Sequence, residues 1–162
     1  MIKAAIVDDD KEAITTITGY LGRFSEETGV EVAHTAFYDA IGFLEQSHSF
    51  DLVFLDIEMP FLNGMSAAEK LRETNDGIAL IFVTNTAKYA VRGYSVNAVD
   101  YLLKPVSYPR FSALMKKTAR VLGSNADADV TLRTAGGMGR LPLSSVIYVE
   151  IREHLLVWHT ES

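Results

Sequence analysis

Five short apolar runs, each of strand length, alternate with helical patterns through the first 105 residues, and this alternation limits what the chain can fold into more than any other feature. The runs are IKAAIV (2–7), EVAHTA (31–36), DLVFL (51–55), IALIFV (78–83) and AVDYLL (98–103). Their β-branched and aromatic content suits strands. The third and fourth are almost continuously apolar, as strands covered on both faces are. Between them, Ile14, Ile17, Leu21 and Phe24 recur at helical spacing within 11–25, and Ile41, Phe43 and Leu44 within 38–48. GMSAAEKLRET (64–74) is rich in helix formers, and TAKYAVRGY (86–94) predicts a weaker helix with Gly93 near its end. SYPRFSALMKKTARVLG (107–123) predicts a strong helix, with Ser107 as N-cap, Pro109 in the first turn and Gly123 as the stop. The pattern predicts an α/β domain, a five-stranded parallel sheet with helices on both faces. Right-handed crossovers leave few strand orders, and 2-1-3-4-5 is the common solution at this size.

The character changes after Gly123. SNADAD (124–129) is small and polar, a linker composition, and VTLRT, GRLPL, VIYVEI and LLVWHT then read as strands or hairpin arms without helices. This divides the chain into a domain at 1–123, a linker at 124–128 and a short β-rich part at 129–162. About 34 residues are few for an independent all-β core, so the last part reads as the beginning of a larger domain.

Composition closes off several classes of function. No apolar run in the 162 residues approaches the ~18 of a membrane span, and the N-terminus MIKAAIVDDD lacks the long apolar stretch of a signal peptide. The absence of cysteine removes disulfides and thiolate metal sites and fits a reducing, cytoplasmic setting. A net charge of −6 makes the chain as a whole no electrostatic magnet for nucleic acid.

In an open parallel sheet, chemistry gathers at the carboxyl ends of the strands. Here those ends carry Asp8, Asp9 and Asp10 on the first strand, Asp56 on the third, Thr84 on the fourth, and Lys104 followed by Pro105 on the fifth. Strands one and three are neighbours in the expected order, so their acids should converge. Clustered carboxylates repel one another and lose hydration, and a hard cation with oxygen ligands compensates for both. A cation, an ammonium and a hydroxyl around one carboxylate suit a phosphoryl group, with Asp56 as nucleophile. Pro60 and Gly64 shape the exit from that strand into the next helix. Taken singly, each residue has a plainer role: Asp10 as a helix cap, Thr84 as a cap or loop hydroxyl, Lys104 as a solvated lysine. Four strand ends on one edge, in the correct order, argue for the shared site.

AAIVDDD, DLVFLDIEMPFLNG, LIFVTNTAKYA and VDYLLKP together resemble the receiver domain of bacterial two-component response regulators, over about residues 1–123. The resemblance implies that Asp56 accepts a phosphoryl group from a sensor histidine kinase in a Mg2+-dependent reaction. It implies Asp9 as a direct Mg2+ ligand, Asp8 largely through water, and Asp56 and the main-chain carbonyl of Glu58 as further ligands. Thr84 would contact the phosphoryl group, Lys104 would pair with it, and the Lys104–Pro105 bond would be cis. Tyr101 matches the family's switch aromatic, which turns inward as Thr84 moves toward the phosphoryl group. LPLSSVIYVEIREHLLVWHT resembles the start of the LytTR-type DNA-binding domain, most of which would lie beyond Ser162.

The function so implied is phosphorylation-controlled regulation of transcription, with homodimerisation on phosphorylation and DNA contacted through the complete C-terminal domain. Such a chain is a phosphoacceptor signalling protein, catalysing at most its own phosphorylation and dephosphorylation. From residue 124 to 162 there are three arginines and no lysine against five acids, so this stretch forms no phosphate-binding patch by itself. His154 and His159 read as strand-surface residues, Trp158 as core packing, and Lys88 with Arg92 as a solvated helix face. Two alternatives stand beside this: a phosphate-independent interaction module, and a haloacid-dehalogenase-like phosphatase using Asp8 and Asp10. The phosphatase leaves DIEMP and LLKP unexplained.

Overall fold

A computed structural model describes residues 1–89, 94–126, 129–134, 137–142, 145–152 and 155–160. The chain forms two compact units, Met1–Ala119 and Arg120–Ser162. The first contains β1 (Ile2–Val7), α1 (Lys11–Thr28), β2 (Val32–Phe37), α2 (Ala40–Glu45), β3 (Leu52–Leu55), α3 (Gly64–Thr74), β4 (Ala79–Thr84) and β5 (Asp100–Leu103). It also holds most of α4 (Tyr108–Ala126). The strands form one parallel sheet in the order β2-β1-β3-β4-β5, as the alternating pattern predicts.

Alternation along the strands sends side chains to both faces. Ala5, Val7, Val53, Leu55, Leu80 and Phe82 share one buried cluster with Phe43 of α2 and Met65, Ala68 and Leu71 of α3. The alternate positions Ala4, Ile6, Leu52, Phe54 and Ile81 are also buried, as are Ile14, Ile17, Leu21 and Phe24 of α1 and Phe111 and Met115 of α4. Phe54 stacks on Phe111 with ring centroids 5.5 Å apart. Each fully buried large apolar side chain contributes about 1.5–3 kcal/mol, so two such layers hold the sheet rigid behind its carboxyl edge.

Local chemistry sets the helix ends. The Asp10 carboxylate accepts from the Glu12 N–H at 2.9 Å and caps α1. Gly29, at φ 72°, closes that helix with its N–H on the Ser25 carbonyl. Asp39 caps α2 and Asn63 caps α3. α4 runs through Gly123 to Ala126, three residues beyond the stop expected from that glycine. Gly123 keeps a negative φ, so the left-handed turn that would end the helix there does not form. The helix expected over 86–94 falls partly outside the described residues. What is described is a 3-10 turn on each side, Ala87–Tyr89 and Tyr94–Val96.

In the second unit β6 (Asp129–Thr134) pairs antiparallel with β7 (Gly137–Pro142), and β8 (Val146–Arg152) with β9 (Leu155–Thr160). Trp158, opposite Val149, is half-buried rather than enclosed, because a two-stranded hairpin is a single layer. His159 stacks on Tyr148 at 4.2 Å and its Nε2 lies 2.8 Å from Glu150 Oε1, a surface pair as expected. His154 and Arg92 lie outside the described residues.

Candidate phosphoacceptor site

Sheet register builds the site. Val7 pairs with Leu55, Leu55 with Phe82, and Thr84 with Leu103. The next residues along β1, β3 and β5 are Asp8, Asp56 and Lys104, so these and Thr84 leave one edge of the sheet side by side. The Asp56 N–H donates to the Val7 carbonyl and the Lys104 N–H to the Thr84 carbonyl, each at 2.9 Å. One carboxylate oxygen from each of Asp8, Asp9 and Asp56 lies within 4.8 Å of the others. Asp8 and Asp56 are each 3 % exposed and Thr84 is fully buried, whereas Asp9 is exposed.

The two buried aspartates differ in what they touch. Asp8 is engaged at both oxygens: the Asp10 N–H donates to Oδ1 at 2.9 Å, and Lys104 Nζ lies 2.7 Å from Oδ2. Asp56 Oδ2 lies 3.8 Å from Lys104 Nζ, a longer ion pair. Asp56 Oδ1 and Thr84 Oγ1 are buried with no hydrogen-bond partner. A buried polar atom left in that condition costs about 1–3 kcal/mol, so two of them together at one strand edge mark a place prepared for something else.

Burial pushes the Asp56 carboxyl above the ordinary carboxylate range, against the pull of the Lys104 charge, the N–H groups of Ile57 and Glu58, and the nearby Thr84 hydroxyl. That hydroxyl lies near enough to act on the carboxylate without closing a hydrogen bond onto it. Asp8 is also pushed up, by burial first and by the Asp56 charge last, with Lys104 and the Asp10 N–H opposing. Added positive charge would relieve both. The donor set is all oxygen, three carboxylates with one open to solvent, and it fits a hard divalent cation that keeps part of its hydration shell.

The exit loop from β3 is fixed by backbone contact. The Gly64 N–H donates to the Ile57 carbonyl at 3.0 Å, and a Cβ on Gly64 would stand 1.9 Å from the Asp56 carbonyl oxygen. Only glycine allows α3 to start so close to the Asp56 peptide. Glu58 lies on this loop with its side chain exposed, outside the three-carboxylate cluster. Phe61 sits at φ 65° between Pro60 and Leu62, whose carbonyl and N–H close a turn at 2.8 Å.

Tyr101 is half-buried against Phe82, with centroids 5.9 Å apart, and its hydroxyl donates to the Thr86 carbonyl. Burial, then the charges of Asp56 and Glu58, raise its pKa and keep it neutral. The Lys104–Pro105 bond is cis, as expected. Lys88 is exposed, with Nζ 5.8 Å from the Tyr89 ring centroid.

Sequence reasoning missed two anchors. Arg72 of α3 donates to the carbonyls of Val96, Asn75, Asp76, Ile78 and Asn97, tying the loops before β4 and β5 to one helix. Tyr20 of α1 donates to the Val106 carbonyl. An arginine beside Leu71 and a tyrosine beside Leu21 carry no periodic signal; only the three-dimensional partners distinguish them.

The wound parallel sheet thus gathers acids, a hydroxyl and a lysine at its carboxyl edge. Residues 4–116 match the response regulator receiver domain, and the chain belongs to that family. It is 33 % identical over 124 residues to an uncharacterized response regulatory protein of Yersinia pestis, covering 75 % of this chain and 50 % of that protein. It is 29 % identical to the sensory transduction protein LytT of Bacillus subtilis, over 94 % of this chain and 63 % of LytT. It is 30 % identical to the positive alginate biosynthesis regulatory protein of Pseudomonas aeruginosa, over 94 % of this chain and 66 % of that protein. The chain thus spans about half to two thirds of these relatives, and in the last two the similarity continues through the β-rich C-terminal part. Among solved structures, the response regulatory domain of MrkE from Klebsiella pneumoniae superposes with a TM-score of 0.68 at 25 % identity, covering 76 % of this chain and 99 % of that one.

Proposed function

We propose that the chain is the phosphoacceptor part of a two-component transcription regulator, with Asp56 receiving a phosphoryl group from a sensor histidine kinase. The observation that carries this is the pair of unpartnered buried oxygens, Asp56 Oδ1 and Thr84 Oγ1, beside Lys104 and the carboxylate cluster. Asp56 rather than Asp8 is the nucleophile, because both oxygens of Asp8 are already engaged. An Asp56 carboxylate oxygen forms the new P–O bond while the donor's bond to phosphorus breaks, its electron pair leaving with the donor. Thr84 donates its hydroxyl to a phosphoryl oxygen, and Lys104 turns from Asp8 toward the new charge. Asp9, Asp56 and the Glu58 carbonyl would hold Mg2+, with Asp8 largely through water, and the cation would offset the negative charge of carboxylates and phosphoryl oxygens together.

Phosphorylation draws Thr84 toward the new group, and Tyr101 responds through its contact with the Thr86 carbonyl. The surface around β5 and α4 then changes its affinity for a second copy. Residues 1–123 are the receiver, 124–128 the linker, and 129–162 the first part of a LytTR-type domain that binds DNA when complete. Among the described residues no helix is long and apolar enough to cross a membrane.

The test is incubation of the folded chain with Mg2+ and acetyl phosphate. One acid-stable, base-labile phosphoryl group is expected, lost with EDTA and in Asp56→Asn. Labelling that persists in Asp56→Asn, or none in the folded wild-type chain, contradicts the proposal.

A further inference from the structure

Lys104 reaches the pocket from a segment with few supports. Its N–H is held by the Thr84 carbonyl on the β4 side. Pro105 has no N–H to give. On the α1 side lies a cavity of about 460 Å³, lined in part by Thr16, Ile17, Tyr20, Asn85, Lys104 and Val106. This cleft leaves room beside the stretch, and what crosses from α1 to it is a hydrogen bond: the Tyr20 hydroxyl to the Val106 carbonyl at 2.9 Å, two residues beyond Lys104.

We propose that Tyr20 is a positioning residue for Lys104, holding the Lys104–Tyr108 segment so that the ammonium is presented to the phosphoacceptor pocket. This rests on the phosphoryl-acceptance reading above.

Tyr20 is itself well fixed. Its ring meets Tyr108 edge-on at 5.3 Å and lies against Phe111 at 5.4 Å. One turn further along α1, the Arg23 guanidinium lies 3.8 Å from the Tyr108 ring centroid. The next turn brings Glu27, which accepts from the Tyr108 hydroxyl at 2.7 Å and from Arg23 Nε at 2.8 Å. These contacts clamp the end of the segment at Tyr108. Tyr20 alone of the three reaches back to Val106, and so bears on the stretch where Lys104 sits. With that bond broken, the segment can drift toward the cavity, and the ammonium moves away from Asp56, already the longer of its two ion pairs. Positional error of this kind slows a reaction without unfolding the domain.

The decisive experiment is a double-mutant cycle on the full chain, with Tyr20→Phe, Lys104→Met and the double variant. The readout is the rate of Mg2+-dependent labelling by acetyl phosphate below saturation, with thermal midpoints as the control for folding. Tyr20→Phe keeps the ring contacts and is expected to slow labelling about fivefold, the scale of one net hydrogen bond. Lys104→Met slows it further. In the Lys104→Met background, Tyr20→Phe is expected to change the rate by less than about twofold, because the residue it acts through is gone. An equal slowing in both backgrounds, or no slowing in either, overturns the proposal while leaving phosphoryl acceptance intact. A Lys104→Met chain that labels like wild type also overturns the proposal, because there is then no role for Tyr20 to support, while phosphoryl acceptance stands; a folded wild-type chain that takes no label removes the reading beneath it, and the proposal falls with it.

Discussion

Gly64→Ala tests the construction of the site most severely for one added methyl group. An ideal Cβ there stands 1.9 Å from the Asp56 carbonyl oxygen and 2.8 Å from both the Asp56 carbonyl carbon and the Ile57 Cα. All three obstacles are backbone atoms, so no side-chain rotation relieves the clash. The start of α3 and the Asp56–Ile57 peptide must separate by roughly 1.5 Å to regain ordinary contact. Separation also breaks the Gly64 N–H bond to the Ile57 carbonyl. Overpacking costs about 1–3 kcal/mol, and a clash with backbone belongs at the upper end, so a loss of about 3 kcal/mol and a fall in thermal midpoint near 10 °C are expected. Where the chain still folds, a shift of Asp56 by about an ångström should slow phosphoryl transfer by about 100-fold. Urea denaturation and acetyl phosphate labelling at a temperature where the variant is folded measure the two effects separately. Wild-type stability together with a wild-type labelling rate would refute the argument that this glycine seats the nucleophile.

Three further outcomes follow from other contacts. Phe61 is 96 % exposed at φ 65°, so Phe61→Gly loses no burial, relieves the strain and should raise urea-measured stability by about 0.5–1 kcal/mol. Arg72→Met keeps the aliphatic stem but strips donors from five carbonyls, and should lower stability by about 3 kcal/mol in the same assay. The Asp56 pKa is raised by burial, so in the metal-free protein the folded state binds more protons than the unfolded state between the ordinary carboxylate value and the raised one. That contribution to stability is lost as pH rises through the window, so the stability gained by Asp56→Asn over wild type, from denaturation midpoints at a series of pH values, should widen toward neutral pH.

The centre of the sheet was readable in the sequence because β3 and most of β4 are buried on both faces. Unbroken runs such as 52–55 have no other comfortable environment, and βα alternation with right-handed crossovers restricts their order. The site followed from the sheet: Asp8, Asp56, Thr84 and Lys104 each end or follow a strand, so knowing the order amounts to knowing the neighbours. Features set by cross-chain geometry were not readable. Gly123 looks like a helix stop, yet a glycine ends a helix only when it turns left-handed, as Gly29 does and Gly123 does not. The reach of Tyr20 to Val106 depends on where α1 lies against the segment after β5, and no local pattern encodes a contact 86 residues away.

The central claim is that Asp8, Asp9, Asp56, Thr84 and Lys104 form one metal-dependent phosphoryl pocket. Its most direct test is a crystal structure of the chain grown with Mg2+ and beryllium fluoride, a stable mimic of the phosphoryl group. Beryllium bonded to an Asp56 oxygen is expected, with Thr84 Oγ1 and Lys104 Nζ on its fluorines and the cation held by Asp9, Asp56 and the Glu58 carbonyl. A fluoride adduct on another residue, or a cation bound away from Asp9 and Asp56, would contradict the account.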